Sequence, residues 1–190
     1  MRLFTGVEVG PAVADALARV SDELRARAAT LAPRARITWV GSDRAHITVR
    51  FIGHVDDEKA QAITNALAPP IAVPPFEVTV RGVGAFPPSG RLRVVWAGLA
   101  GGVDALSAVE QEVSRRLEAR GIPREERAYR PHLTLARVKE AGGLRARSLL
   151  EGYTEPAFAT TRVDAITLFE SRLSPKGPTY VALQQTALRG

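Results

Sequence analysis

The sequence predicts an α+β fold. We expect a single domain spanning residues 1–190, made of two pseudo-symmetric lobes (about 1–90 and 91–190) whose two mainly antiparallel sheets flank a central cleft, with helices on the outer faces. Three observations lead there. Two amphipathic helix patterns recur at nearly equivalent places in the two halves, each helix stands between two strand patterns, and the later strand of each trio carries the same tripeptide: His46-Ile47-Thr48 and His132-Leu133-Thr134. Element for element, the halves match at an offset of about 85 to 90 residues, the mark of a duplicated strand-helix-strand-helix-strand unit.

The first unit opens with a short strand over Leu3 to Val9, interrupted by Glu8. Residues 11–31 place Val13, Ala16, Leu17, Val20, Leu24, Ala28 and Leu31 on one helical face, with Pro11 in the first turn and Pro33 just past the end. A histidine-bearing strand over 44–52, a helical stretch near 56–68 and a strand over Phe76 to Val83 follow. The turn-rich segment Phe86-Pro87-Pro88-Ser89-Gly90 hands over to the second unit. There a strand over Leu92 to Leu99 precedes a helix near 103–120, whose Val103, Leu106, Val109, Val113 and Leu117 share a face and whose end is set by Gly121 and Pro123. The second histidine strand (130–136), a weaker helix near 143–151, a strand over Arg162 to Phe169 and a closing strand near Thr179 to Leu183 complete the chain. Hairpins mixed with long returns favour antiparallel sheets over a doubly wound parallel one.

With 45% hydrophobic and 24% charged residues, 190 residues can bury a substantial core. The chain has no cysteine, so disulfides, thiolate metal sites and a cysteine nucleophile are excluded. No apolar run approaches the roughly 20 residues of a membrane span, and a cytoplasmic location is expected. The net charge of +6 favours anionic partners, although a solvated basic surface explains it equally well.

Two of only three histidines begin a His-x-Thr tripeptide. With 13 threonines in the chain, chance gives this about once in 70, before the equivalent positions are considered. An isolated His-x-Thr is ordinarily a strand end or a core polar contact; a pair on equivalent strands calls for a shared role. On a strand, residues i and i+2 face one side, so each histidine projects with its threonine while Ile47 and Leu133 enter the apolar layer. If both strands border one cleft, two imidazoles and two hydroxyls converge on a phosphate-sized volume. One imidazole can donate a proton and the other accept one near neutral pH, while hydroxyls bind the charged oxygens. His54 lacks a counterpart and reads as a surface residue. Asp43, Asp56 and Asp57 lie in turns without metal-ligand spacing, so no metal and no cofactor is expected, and the glycines of Gly98-Leu99-Ala100-Gly101-Gly102 shape a turn.

On these residues the chain resembles the two-histidine phosphoesterase superfamily, and within it the RNA 2',3'-cyclic phosphodiesterase family, also called 2'-5' RNA ligase or LigT-like. The likeness covers nearly the whole chain: Arg2-Leu3-Phe4, the run from His46 to Gly53, Gly84-Ala85-Phe86-Pro87, the run from Tyr129 to Arg137, and Phe169-Glu170-Ser171-Arg172-Leu173 followed by Gly177 and Tyr180. A departure is His54, where members usually carry an acidic residue.

The resemblance implies a bilobal cleft and hydrolysis of RNA 3' ends bearing a 2',3'-cyclic phosphate to a 2'-phosphate without a metal. His46 would be the proton donor to the departing 3' oxygen and His132 the proton acceptor from water. Thr48, Thr134 and Arg130 would bind the phosphate, with Arg137 a further candidate that plain strand alternation places on the opposite face. Phe51 and Tyr129 read first as packing residues and second as base-stacking candidates. A monomer is expected. The alternatives are 2'-5' RNA ligation by the reverse reaction, a small cyclic nucleotide substrate, or a non-catalytic RNA-binding module.

Overall fold

The computed structural model describes residues 1–174 and 177–190. Strand β1 (Arg2–Glu8) leads into helix α1 (Pro11–Leu31), then β2 (Arg36–Trp39), β3 (His46–His54), α2 (Asp57–Leu67) and β4 (Phe76–Phe86). The second unit contains β5 (Val94–Ala100), α3 (Val103–Glu118), β6 (Leu133–Glu140), α4 (Ala146–Leu150) and β7 (Ala157–Val163), and β8 (Ala165–Ser174) and β9 (Gly177–Ala187) form the closing hairpin.

Local chemistry sets the helix boundaries. Pro11 begins α1 where its missing N–H costs no hydrogen bond, and the helix stops at Ala32, before Pro33. Asp56 caps α2 by accepting from the Lys59 amide at 2.7 Å, with Asp57 and Glu58 in the first turn complementing the helix dipole. Gly101 and Gly102, at φ of 75° and 67°, form the expected turn into α3.

All the strands belong to one curled, antiparallel sheet in the order β7-β4-β5-β6-β3-β1-β8-β9, with β2 beside the far end of β6. The two antiparallel sheets expected from sequence join through a single Cα pair, Ile47 with Leu133. From that point β3 diverges and β2 takes its place along β6. The sheet thus opens where the two His-x-Thr tripeptides meet.

The expected division at about residue 90 does not coincide with a division of this sheet. Strand β4 of the first half lies between β5 and β7 of the second, and β8 and β9 extend the edge at β1. Antiparallel pairing through the short β4–β5 connection keeps consecutive strands adjacent and carries β4 across. Helix α1 packs on β7 and α4, while α3 packs on β3 and α2 on α3 and β9, so the helices cross over as well. A single apolar cluster unites Leu17 and Leu24 of α1, Leu106 and Val113 of α3, and Ile47 and Leu133 of the two central strands.

Two further differences concern strands. β2 is an additional strand, too short to show a period in the sequence. The stretch Arg162 to Phe169 breaks at Asp164 into β7 and β8, which take opposite wings of the sheet. Among the described residues, no helix is long and apolar enough to cross a membrane.

Candidate active site

The Ile47–Leu133 pair fixes the geometry of the site. In an antiparallel ladder centred there, His46 stands opposite Thr134 and Thr48 opposite His132, and all four project to the face away from Ile47 and Leu133. Around that pair the two imidazoles and two hydroxyls border one cleft where the strands part. Ile47 and Leu133 are fully buried beneath them, each contributing about 2 to 3 kcal/mol by that burial. His46 is the first residue of β3, whereas His132 lies one residue ahead of β6.

Both imidazoles are held in the same way. His46 Nδ1 lies 2.9 Å from the Arg44 carbonyl and His132 Nδ1 lies 2.8 Å from the Arg130 carbonyl. A carbonyl oxygen only accepts, so Nδ1–H donates in each ring, and the neutral tautomer leaves Nε2 free to accept a proton. The loop before each strand thereby selects the working nitrogen through its own backbone.

The surroundings of the two rings differ. His46 packs against Phe4 (4.9 Å between centroids), the edge of Tyr180 (5.0 Å) and Phe169 (6.3 Å). His132 meets Phe86 at 5.5 Å and Trp96 at 6.3 Å, both edge-to-face. Gly84 makes room for the indole: a Cβ there would come within 2.2 Å of the Trp96 ring, so any side chain would displace this wall of the site.

Burial pushes the His46 imidazole below its ordinary value. The hydrogen bond to Arg44 opposes the shift, and the positive charges of Arg137 and His132 add to it. Near neutral pH the neutral form of His46 is therefore favoured, and a proton placed on it is more readily given up.

Arg137 requires a correction. Strict alternation from His132 puts it on the far face, yet its charge acts on His46. The cause is a β-bulge. Trp96 pairs with Thr134 but Val95 pairs with Ala136, so Leu135 is an extra residue in β6 and the parity of the strand reverses beyond it. The Leu135 carbonyl, freed from β5, accepts from the Val40 amide at 2.8 Å. A matching bulge in β3 lies at Val49, between the pairs Gly6–Thr48 and Thr5–Arg50. Burial repeats accordingly: from His46 to Phe51 and again from His132 to Arg137, it runs half-buried, buried, half-buried, buried, buried, exposed.

Of the other candidates, Thr48 and Thr134 lie on the same register face as the two histidines. The Arg130 carbonyl orients His132, and its exposed side chain borders a neighbouring cavity of about 460 Å³ also lined by Arg81, Trp96 and Tyr129. Tyr129 is a packing residue whose phenol donates to the Thr48 carbonyl at 3.1 Å, and its burial holds that hydroxyl in the protonated form. A cavity of about 580 Å³ adjoins His46, bordered by Glu8, Asp43, Arg44 and Tyr180. Among the described residues, no three His, Cys, Asp or Glu side chains are grouped as metal ligands.

The model of a family described as the 2'-5' RNA ligase superfamily matches residues 10–174. A protein of Aeropyrum pernix named RNA 2',3'-cyclic phosphodiesterase is 39% identical over 147 residues, covering 77% of this chain and 83% of that protein. A protein of the same name from Methanocaldococcus jannaschii is 28% identical over 186 residues, 97% of this chain and 99% of its own. The crystal structure of a Thermus thermophilus protein superposes with a TM-score of 0.73 at 30% identity, over 100% of this chain and 99% of that one.

Proposed function

Because the chain belongs to the 2'-5' RNA ligase superfamily, we propose that it hydrolyses the terminal 2',3'-cyclic phosphate of RNA to a 2'-phosphate, as a single catalytic domain acting as a cytoplasmic monomer. The observation that carries this reading is the antiparallel meeting of the two His-x-Thr tripeptides at Ile47 and Leu133, with both imidazoles held by Nδ1 and both Nε2 atoms left for proton transfer. The relatives named RNA 2',3'-cyclic phosphodiesterase support the substrate class.

In the proposed reaction His132 Nε2 takes a proton from water as the water oxygen bonds to phosphorus. The bond from phosphorus to the 3' oxygen breaks, and His46 gives that oxygen a proton. Thr48 and Thr134 hydrogen-bond the non-bridging oxygens as charge grows on them, and Arg137 supplies a positive charge on the His46 side. The two imidazoles exchange protonation states and are reset by solvent. No step calls for a metal.

The test is incubation of a short RNA ending in 2',3'-cyclic phosphate, in EDTA, with a second RNA carrying a 5'-hydroxyl. The expected product is a 2'-phosphate. A chain joined 2'-5' as the main product would replace water by the 5'-hydroxyl and make the protein a ligase, and loss of turnover in EDTA would refute the metal-free reading.

The pH profile follows from His46. A proton donor must be charged in the free enzyme, and its charged fraction falls as pH rises through its own pKa. Since that pKa is lowered, at least one limb of the kcat/KM profile is expected below the ordinary imidazole value of about 6.5. Two limbs both at or above that value, measured from about pH 4.5 to 8.5, would mean that the buried His46 does not titrate in catalysis.

A further inference from the structure

The two cavities beside the histidines differ in charge. The one next to His46 is bordered by Glu8 and Asp43, and Glu8 stands directly across from His46 on β1. Its arginine, Arg44, is turned to Asp43 at 3.9 Å and to the Pro178 carbonyl at 3.1 Å. The cavity next to His132, of about 460 Å³, has Arg81 and Arg130 in its wall and, among the described residues, no carboxylate. Both arginines are exposed. Among the described residues Arg130 forms no ion pair. Arg81 donates through Nε to the Glu155 carbonyl at 2.9 Å, and the Glu155 carboxylate lies 3.7 Å from one terminal nitrogen. Both partners of that pair are exposed, so water screens it.

This cavity lies close to the reacting centre. Pro131 restricts Arg130 to extended backbone, which sets Arg130 about 7 Å from His132 along the chain, on the scale of the step from one phosphate of an RNA strand to the next. Trp96 lines the cavity and meets the His132 ring edge-to-face at 6.3 Å. Its indole N–H is a buried donor with no partner among the described residues, so the wall holds a neutral donor in addition to the two cations.

Resting on the cyclic-phosphate reading above, we propose that this cavity is a second anion site, taking the phosphate that joins the terminal nucleotide to the one before it. Arg130 and Arg81 supply its charge. A guanidinium presents forked donors to phosphate oxygens, while the carboxylates beside His46 repel the same group from the other cavity. The strand therefore leaves the cleft on the His132 side. Selection by length follows: a free nucleoside cyclic phosphate has nothing to place between the arginines, whereas the end of an RNA strand has.

The experiment compares a nucleoside 2',3'-cyclic phosphate with the same molecule carrying a 5'-phosphate, on the parent, Arg81→Gln, Arg81→Lys and Arg130→Gln. Both side chains are exposed, so none of these substitutions opens the core. The parent is expected to prefer the 5'-phosphorylated substrate by about tenfold in kcat/KM, through KM, the scale of one charge-assisted contact at an exposed site. Arg81→Gln should remove most of that preference while using the unphosphorylated nucleoside as the parent does, and Arg81→Lys, which keeps the charge, should restore part of it. Arg130→Gln should lower the same ratio. For the 5'-phosphorylated substrate, the slope of log kcat/KM against log salt should become shallower by about one in each glutamine variant. Equal use of both substrates by the parent overturns the proposal. So does a preference that neither glutamine substitution changes, which would send the strand past the cavity beside His46.

Calorimetric binding of a nucleoside 2'-phosphate against the 2',5'-bisphosphate reads the same contact without turnover. If neither cyclic phosphate is opened, the functional reading fails. The anion site then stands or falls on whether the parent binds the bisphosphate more tightly and Arg81→Gln does not.

Discussion

His46→Ala and His132→Ala are each expected to lower kcat/KM on RNA 2',3'-cyclic phosphate by roughly 10² to 10⁴, with the double variant little worse than either single one. Each imidazole supplies one of two proton transfers in the same transition state, so removing the second gives little further loss. The backbone contacts make this a clean test of side-chain chemistry. Each histidine is hydrogen-bonded through Nδ1 to a carbonyl two residues back, and its removal leaves the buried Ile47–Leu133 pair intact.

The same variants can separate donor from acceptor. A cyclic phosphate with sulfur in place of the 3' bridging oxygen releases a thiolate, whose conjugate acid has a pKa near about 8.5 and which needs no proton to depart. On that substrate His46→Ala is expected to recover most of its loss and His132→Ala none. Recovery by His132→Ala instead would exchange the two roles. His46 would then be the base, and its lowered pKa would move the acid limb of the pH profile downwards. Equal failure of both variants would remove the leaving-group proton from the rate-limiting step.

Why the histidine pair was legible and Arg137 was not comes down to strand parity. His46 and His132 are identified by a short repeat at equivalent places, and the antiparallel pairing of Ile47 with Leu133 puts them together. Arg137 depends on whether one extra residue is accommodated between Thr134 and Ala136, and a slip of one residue sends every later side chain to the opposite face. In the structure both strands carry the same device: Val49-Arg50 and Leu135-Ala136 occupy the same two places after each threonine, and both members of each pair are buried.

The course of the sheet was hidden for a different reason. Periodicity marks which residues are strands but not which strands pair, so nothing local showed that β4 crosses to the second half or that Asp164 turns one apparent strand into the two wings β7 and β8. Trp96 was unreadable as a site residue for the same reason. Only its pairing with Thr134 and the space above Gly84 bring it to His132.

The bulge at Val49 has a second effect, which sets the largest stability change expected outside the core. By reversing parity it turns Arg50 to the helix-covered face, where the residue is only 4% exposed. Its guanidinium donates to Glu125 at 2.8 Å and to the Pro123 carbonyl at 2.5 Å, and among the described residues its Nε has no partner. Glu125 and Pro123 lie in the loop that leads from α3 to His132, and Tyr129 of that loop bonds the Thr48 carbonyl. The strand of the first histidine thus holds the approach to the second.

Removing Glu125 would leave a buried guanidinium without its counter-charge. Glu125→Ala is therefore expected to destabilise the fold by about 3 kcal/mol, the lower end of the range for a broken buried pair, because the carboxylate is itself 47% exposed and partly screened by water. Arg50→Met with Glu125→Ala should recover a large part of that loss, since a methionine fills the same space without a charge to desolvate. Urea unfolding of the parent, the two single variants and the double variant measures the coupling directly. Additive losses would mean that the pair contributes nothing beyond its separate side chains, and that packing under β3, with the Tyr129 bond, holds the second histidine in place.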